Sequence, residues 1–210
     1  MRKPWELERA CGRREDTRLI RDRILILCEG EKTEPNYFRK FPVKIDLVEL
    51  DVAGIGANTL SLVQAAIGRR DDAVRNNVAY NQVWCVFDRD EFRSVNFNAA
   101  FRLARDNRIR IAYSNQCFEL WYFLHFQFND AALHRHAYGE KLTEQMGGRN
   151  YKKNDAAMYD LLKDKQWVAM RNARKLLTRY CLCNPEKDDP STTVHLLVEV
   201  LNDFISDEAD

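Results

Sequence analysis

The chain has 210 residues, 45% hydrophobic and 11% aromatic, which is enough for one core of ordinary size and an extension. Its 33 Lys and Arg nearly balance its 32 Asp and Glu, so the formal net charge of +1 does not by itself indicate a nucleic-acid binder. The first 23 residues are rich in charge and hold no apolar run typical of a signal peptide or membrane span. Residues 1–22 are therefore predicted to form a basic, solvated arm, with contact to phosphates as the alternative.

The six cysteines are scattered, and Cys28 and Cys85 lie inside apolar segments, where small hydrophobic residues are expected. Without a secretion signal, this usage is typical of a reducing compartment and predicts a cytoplasmic protein. Cys181 and Cys183 form a lone CxC pair without a second pair at zinc spacing, so a zinc site is not expected.

Apolar segments alternate with amphipathic segments over residues 23–128, which predicts βαβ units and a mostly parallel four-stranded sheet flanked by helices. The strands are predicted at 23–28, 45–52, 82–87 and 109–113. Helices are predicted near 36–40, over 59–74 with Asn58 as the cap, over 96–106, and in the strongly apolar segment 114–126.

From residue 130 onward the pattern predicts only helices, at 131–137, 155–164, 166–180 and 191–204. Polar connectors are predicted at 139–154 and 184–192. The expected organisation is an N-terminal arm (1–22), an α/β core (23–128) and an α-helical C-terminal extension packed on that core (129–210).

Acidic residues follow three of the predicted strands. Glu29 follows the first strand, Asp88 and Asp90 follow the third, and Glu119 comes shortly after the fourth. Because the carboxyl ends of parallel strands lie at one edge of a sheet, we expect these side chains to share a crevice. Crowded carboxylates resist ionisation unless a divalent cation neutralises them, and oxygen ligands select Mg²⁺ or Mn²⁺. The pattern indicates metal-assisted phosphoryl transfer, although acids after strands also serve as helix caps.

Two histidines and one basic helix have structural alternatives to a functional role. His125 and His195 lie on apolar helical segments, so we expect buried histidines rather than general bases. The segment 170–180 carries Arg171 and Arg174 and is either a contact surface for nucleic acid or a solvated helix face.

Several segments resemble the RloB family, whose members carry a Toprim domain related to the nuclease half of the OLD proteins. They are "ILILCEGEKTEPNYF", "VFDRDEF", "SNQCFELWYFLHF", "YKKND" and "DPSTTVHLLV", and the resemblance runs from about residue 23 to residue 198. It implies a Toprim-like (Rossmann-like) α/β fold that binds Mg²⁺ to cleave or transfer phosphodiester bonds.

The resemblance also implies roles for particular residues. Glu29 matches the glutamate after the first strand, Asp88 and Asp90 match the DxD after the third, and Glu119 matches a further glutamate after the fourth. Glu34 matches a second acid of the first motif, so the implied metal ligands are Glu29, Glu34, Asp88, Asp90 and Glu119.

A lysine downstream of the core faces the scissile phosphate in such nucleases. Lys153 is our choice for it and Lys152 the alternative, so the implied catalytic residues are Glu29, Glu119 and Lys153. Nucleic-acid contacts are expected from Lys32, Arg89, Lys152, Arg171 and Arg174. The family segment usually reads "NPCFE", and here Gln116 replaces the proline, which we expect to loosen the turn.

Two functional hypotheses follow. The first is a Mg²⁺-dependent endonuclease acting on DNA, tRNA or another RNA, with the family implying a role in bacterial anti-phage defence beside an ATPase partner. The second is a nucleic-acid or protein binding module that keeps the fold but lacks independent catalytic activity. The sequence contains no G-x-x-x-x-G-K-[ST], so ATP-driven switching would come from a partner.

Overall fold

The structure is a computed structural model, and it describes residues 21–89, 94–181 and 184–205. The predicted basic arm therefore lies outside the described residues except for Arg21 and Asp22. The predicted metal ligand Asp90 and the second cysteine of the CxC pair, Cys183, also lie outside them.

One four-stranded sheet organises the described residues. Its strands run in the order β2–β1–β3–β4, and every neighbouring pair is parallel. They are β1 (Asp22–Cys28), β2 (Val48–Gly54), β3 (Gln82–Arg89) and β4 (Arg110–Asn115). The predicted fold class, a parallel α/β sheet flanked by helices with a helical C-terminal part, is confirmed.

Helices cover both faces of this sheet. On one face lie α2 (Thr59–Arg75) and α3 (Ser94–Asp106). On the other lie α1 (Thr33–Phe38), α4 (Glu119–Leu124), α5 (Arg135–Gln145), α6 (Met158–Leu162), α7 (Gln166–Leu177) and α8 (Val194–Asn202), with a 3₁₀ turn, Lys163–Lys165, before α7.

Strand β1 shows why the sheet is buried on both sides. Ile24 and Ile26 belong to the larger hydrophobic cluster under α1 and α4 to α8, whereas Leu25 and Leu27 belong to the cluster under α2 and α3. Because side chains alternate across a strand, a continuous apolar run is what a strand between two helical layers requires.

Most predicted elements exist, with shifted ends. The Asn58 cap is confirmed, because its side-chain oxygen accepts a hydrogen bond from the Ser61 N–H at 3.0 Å. Strand β2 begins at Val48 rather than residue 45, since residues 44–47 form a turn closed by the Leu47 N–H and the Lys44 carbonyl oxygen at 2.9 Å.

The largest error lies between residues 131 and 145. The helix predicted at 131–137 is misplaced, because α5 begins only at Arg135 and continues to Gln145, into residues that were predicted to be a connector. Only Tyr138 and Leu142 of α5 are buried, so its apolar stripe is too sparse to stand out in the sequence. The predicted helix at 155–164 is also reduced to α6 and the 3₁₀ turn that follows it.

Helix α4 is the most deeply buried helix, with Leu120, Trp121, Tyr122, Phe123 and Leu124 all at 0–1% exposure. The side chains of Trp121, Tyr122 and Phe123 therefore pack in the core. None of the helices in the described part of the chain is long and apolar enough to cross a membrane.

Candidate metal centre

A cavity of about 410 Å³ opens at the carboxyl edge of the sheet. It brings together four of the five predicted metal ligands, Glu29, Glu34, Asp88 and Glu119. Its remaining lining residues come from the loop after β1, the starts of α1 and α5, the residue before α4 and the segment before α6. They are Gly30, Glu31, Lys32, Thr33, Phe118, Arg135, Lys153 and Asn154.

Glu29 joins three parts of the sheet edge. Its backbone N–H donates to the Val86 carbonyl oxygen at 2.9 Å. Its carboxylate accepts from the Asp88 backbone N–H at 3.3 Å and from the Thr59 hydroxyl at 3.2 Å. Glu29 is therefore fixed by its neighbouring strand and by the first residue of α2.

Glu34 and Asp88 are buried, and each has one carboxylate oxygen that lacks a hydrogen-bond partner in the described residues. These oxygens are Glu34 Oε2 and Asp88 Oδ1. Burial raises the pKa of Asp88 well above its ordinary value, and the charges of Glu34, Glu119 and Glu29 raise it further. Burial also raises the pKa of Glu34, with Glu119 adding to the effect and Lys153 opposing it. A divalent cation would supply the missing partner for both oxygens.

Glu119 is oriented by a side chain from a distant part of the sequence. It is the first residue of α4, and the Tyr151 hydroxyl donates to its Oε1 at 2.7 Å. Burial raises the pKa of Tyr151, and the charge of Glu119 raises it further, so the phenol stays protonated and remains a donor. The Tyr151 backbone N–H in turn donates to the Thr143 hydroxyl at 3.0 Å.

Residues 149–155, here called the strap, hold Lys153 against the cavity. The Thr33 hydroxyl donates to Asn154 Oδ1 at 2.7 Å, and the Asn36 side-chain amide donates to the Asn154 carbonyl oxygen at 3.3 Å. Asn154 has a φ of 67°, in the left-handed region that asparagine tolerates better than most residues. The strap places Lys153 in the cavity lining, whereas Lys152 does not line the cavity, although both lysines are exposed.

Sequence reasoning missed Arg135, Tyr151 and Asn154. The positive charge of Arg135 opposes the other causes that raise the pKa of Asp88. Arg135 begins the helix whose position was predicted wrongly, and the strap was predicted as part of a polar connector. The "YKKND" motif was the available signal for the strap, because it contains Tyr151 and Asn154 beside the chosen lysine.

The glycines near the site allow two loops to pack closely. A Cβ at Gly54 would lie 2.3 Å from the Gly30 carbonyl oxygen and 2.7 Å from the Glu31 Cα. Gly56 has a φ of 59°, and a Cβ there would lie 2.7 Å from a Glu31 carboxylate oxygen. The "GIG" segment thus packs the loop after β2 against the loop that carries the first acidic motif.

Three other predicted contact residues lie outside the cavity lining. The Arg89 guanidinium carbon lies 5.7 Å from the centroid of the Phe97 ring. Arg171 and Arg174 lie on α7, where Arg174 forms a 2.8 Å ion pair with Glu199.

The turn at Gln116 is more ordered than we expected. Gln116 has a φ of 71°, its N–H donates to the Arg89 carbonyl oxygen at 3.0 Å, and its side-chain amide donates to Asp189 Oδ2 at 2.8 Å. The expected loosening is therefore wrong. Proline, whose ring fixes φ near about −65°, could not adopt this conformation.

The prediction of buried histidines is confirmed. His125 and His195 are 1% and 2% exposed, and neither lines the cavity. His125 Nδ1 lies 2.9 Å from the Trp121 carbonyl oxygen. Burial lowers the pKa of both imidazoles to about 4, so both are neutral at neutral pH.

The fold and the site define an α/β protein with an acidic cavity at the carboxyl edge of a parallel sheet. The chain belongs to the RloB-like family, because the family model described as RloB-like protein matches residues 24–201. Comparison with curated proteins and with solved structures gave no match.

Proposed function

We propose that the protein is a Mg²⁺- or Mn²⁺-dependent endonuclease that cleaves phosphodiester bonds in DNA or RNA. The observation that carries the proposal is the meeting of Glu29, Glu34, Asp88 and Glu119 in one cavity with Lys32, Arg135 and Lys153. The carboxylates can bind a divalent metal ion, and the basic side chains beside them can bind the phosphate of a nucleic acid. Membership of the RloB-like family supports the same proposal.

The residues present fit a divalent cation. Glu34 Oε2 and Asp88 Oδ1 are buried without a hydrogen-bond partner in the described part of the chain, and hard oxygen ligands of this kind select Mg²⁺ or Mn²⁺. The ligands would come from Glu29, Glu34, Asp88, Asp90 and Glu119. A bound ion would activate water for attack and stabilise the charge on the leaving oxygen.

The chain's own residues would orient the acids and bind the phosphate. Thr59 and the Asp88 backbone N–H hold Glu29, and Tyr151 holds Glu119. The strap fixes the backbone beside Lys153, so that its ammonium group can stabilise the charge that builds on the phosphate in the transition state.

The family resemblance suggests the biological setting. We propose that the protein acts in the reducing bacterial cytoplasm as part of anti-phage defence, together with an ATPase partner. Buried free thiols at Cys28, Cys85 and Cys117 are compatible with that compartment.

The test is cleavage of labelled DNA and RNA, including tRNA, by purified protein in Mg²⁺ or Mn²⁺ and in EDTA. We expect cleavage only with metal, and its loss in an Asp88→Ala, Asp90→Ala double variant. As a control, an Asp71→Ala, Asp72→Ala variant also removes two carboxylates, but from the surface of α2, and it should cleave like the parent. Metal-dependent cleavage that is unchanged in the Asp88, Asp90 variant would refute the proposal.

One observation favours the second hypothesis, a binding module without catalytic activity of its own. In the described residues, which leave out Asp90, no group of three or more His, Cys, Asp or Glu side chains forms a ready-made metal site. Calorimetric titration with Mg²⁺ separates the two hypotheses. An endonuclease should take up metal in a way that depends on Asp88, whereas a pure binding module should show no such uptake.

A further inference from the structure

Helix α7 exposes an aromatic side chain that the fold does not use. Trp167 is 60% exposed, whereas Trp84 and Trp121 are 3% and 0% exposed. A tryptophan is usually largely buried, because its large apolar surface is costly to leave in water. An exposed indole on a rigid helix is therefore a candidate contact for another molecule.

Cationic side chains lie over three aromatic rings in this region. The Arg171 guanidinium carbon is 5.2 Å from the Trp167 ring centroid. Lys175 Nζ is 4.1 Å from the Phe128 centroid, and Lys165 Nζ is 4.5 Å from the Phe126 centroid. We call these six residues the aromatic–cationic surface: Phe126, Phe128, Lys165, Trp167, Arg171 and Lys175.

The positive charges of this surface are not neutralised by neighbouring carboxylates. Within the ranges that the structure describes, Lys165, Arg171 and Lys175 form no ion pair with a carboxylate, since their partners are aromatic rings. Arg174 and Arg179 differ, because they pair with Glu199 and Asp130. A ring attracts a cation without neutralising it, so the surface stays positively charged.

The spacing on α7 puts stacking and charge side by side. Trp167, Arg171 and Lys175 are four residues apart, so they lie along one side of the helix at steps of about 6 Å. A row of cations beside an exposed ring suits a chain that carries one phosphate and one base in each unit. A folded protein partner would instead need carboxylates at matching positions and a pocket for the indole.

We propose that the aromatic–cationic surface binds unpaired nucleotides of a single-stranded nucleic acid. A base stacks on Trp167, and Lys165, Arg171 and Lys175 contact the phosphates. The base must be unpaired, because the faces of bases within a duplex are covered by their neighbours. The proposal rests on the proposed nuclease function and narrows its substrate to one with a single-stranded segment.

Helix α4 connects the cavity to the aromatic–cationic surface. Helix α4 starts at the cavity residue Glu119 and is six residues, or about 9 Å, long. Phe126 follows its end, and the Asn172 side-chain amide donates to the Leu124 carbonyl oxygen at 2.9 Å, which fixes α7 to that end. The cavity and the aromatic–cationic surface therefore lie at opposite ends of one short helix.

The test measures binding without cleavage. Fluorescein-labelled single-stranded DNA and RNA oligonucleotides, and duplexes of the same sequence, are titrated with protein in EDTA and followed by fluorescence anisotropy. In Trp167→Ala we expect single-strand affinity to fall about tenfold, with duplex affinity changed less than about twofold. Trp167→Phe should restore part of the loss, and Lys165→Ala, Lys175→Ala should reduce the salt dependence of single-strand binding.

Two control variants match these changes elsewhere on the surface. Leu161→Ala removes an apolar side chain that is 40% exposed on α6, and Arg105→Ala removes an exposed cation from α3. Both should bind single strands like the parent. Because Trp167 is exposed, its variants should fold, and equal melting temperatures would verify this.

Three results would overturn the inference. One is that the parent binds no single strand in EDTA, and another is that Trp167→Ala binds single strands as tightly as the parent. The third is an equal loss of affinity for single strands and duplexes. Weakened binding by Trp167→Ala beside a lack of Mg²⁺-dependent cleavage would refute the nuclease alone, whereas cleavage with unchanged binding would refute this inference alone.

Discussion

At the scale of single residues, the carboxylates of the cavity fall into two kinds. Glu29 and Glu119 are oriented by hydrogen bonds from Thr59, the Asp88 backbone and Tyr151. Glu34 and Asp88 each keep one buried oxygen without a partner in the described residues. The oriented pair should set the geometry of a bound cation, and the other pair should gain most from its charge.

The hydrogen bond from Tyr151 gives the first prediction. Tyr151→Phe keeps the ring and removes the 2.7 Å donor to Glu119. We expect about tenfold weaker Mn²⁺ binding by calorimetry, because groups that orient metal ligands are typically worth that much.

Tyr80→Phe is the matched control for this variant. It removes a 2.5 Å hydrogen bond from a phenol to Asp51 Oδ2, and neither residue lines the cavity. Its Mn²⁺ affinity should equal that of the parent. Equal affinities for the Tyr151 variant and the parent would contradict the role given to Tyr151.

The buried charge of Asp88 gives the second prediction. Its folded-state pKa is raised above the unfolded value, so the parent loses stability as pH rises through the folded pKa. Asp88→Asn removes this loss, and in EDTA its stability relative to the parent should increase with pH. Thermal unfolding from about pH 4 upward measures the difference, because the loss begins at the ordinary pKa of an aspartate.

Added Mg²⁺ should make the parent more stable than the Asp88→Asn variant, the reverse of their order in EDTA. Saturating Mg²⁺ should raise the melting temperature of the parent, because a ligand that binds only the folded state stabilises it. The Asp88→Asn variant should gain much less. Two results would show that Asp88 is not part of a cation site. One is that Asp88→Asn is less stable than the parent in EDTA at every pH, and the other is that Mg²⁺ raises the melting temperatures of both proteins equally.

At the scale of elements, the loops after β1 and β2 depend on close backbone contact. Gly54→Ala would place a Cβ 2.3 Å from the Gly30 carbonyl oxygen, and backbone atoms cannot move aside cheaply. We expect a loss of roughly 1–3 kcal/mol in the free energy of unfolding, measured with urea.

Gly68 on α2 is a glycine position with open space around it, so Gly68→Ala is the control for Gly54→Ala. A Cβ there meets no atom within 4 Å, so the change should stabilise the protein by about 0.5–1 kcal/mol through helix propensity. If both substitutions had the same effect, close packing between the two loops would not explain the glycine at position 54.

The elements that the sequence predicted well carry strong local signals. Strands β1 and β3 are continuous apolar runs, and the Asn58 cap defines the start of α2. Because the carboxyl ends of parallel strands share one edge, the meeting of Glu29 and Asp88 could be predicted from the parallel direction of the strands.

What the sequence could not show depends on tertiary contacts. Helix α5 buries only Tyr138 and Leu142, so its polar surface reads as a connector. Asn154 reaches the site through a hydrogen bond to Thr33, 121 positions away in the sequence. Such pairings leave no periodic pattern, and they decide which polar side chains of the strap face the acids.

At the scale of the whole molecule, one hydrophobic cluster joins the sheet to the C-terminal helices. It extends from Ile24 of β1 to Leu201 of α8 and includes the whole apolar part of α4. His125 and His195 lie within this packed region and are held neutral by burial. Acid should therefore destabilise the fold by charging them.

The acid sensitivity of this region gives a further prediction. The folded-state pKa of His195 is about 4, below its ordinary value of 6.5, so its contribution is complete above pH 6.5 and is lost as pH falls toward 4. Between pH 7 and pH 5 the parent should lose roughly 2 kcal/mol more than His195→Gln, measured by urea unfolding. Asp88 and Glu34 have shifts of the opposite sign, but both proteins contain them, so their effect cancels. Parallel pH dependences of the two proteins would contradict the neutral, buried state of His195.

The central claim is that carboxylates from three separated parts of the sequence hold one or more divalent cations at the carboxyl edge of the sheet. The most direct measurement is a crystal structure of the protein in Mn²⁺, with the ion located by its anomalous scattering. We expect a peak in the cavity at roughly 2.1 Å from oxygens of Asp88 and of Glu29 or Glu119. A cavity without a peak at saturating Mn²⁺, or peaks found only elsewhere on the protein, would contradict it.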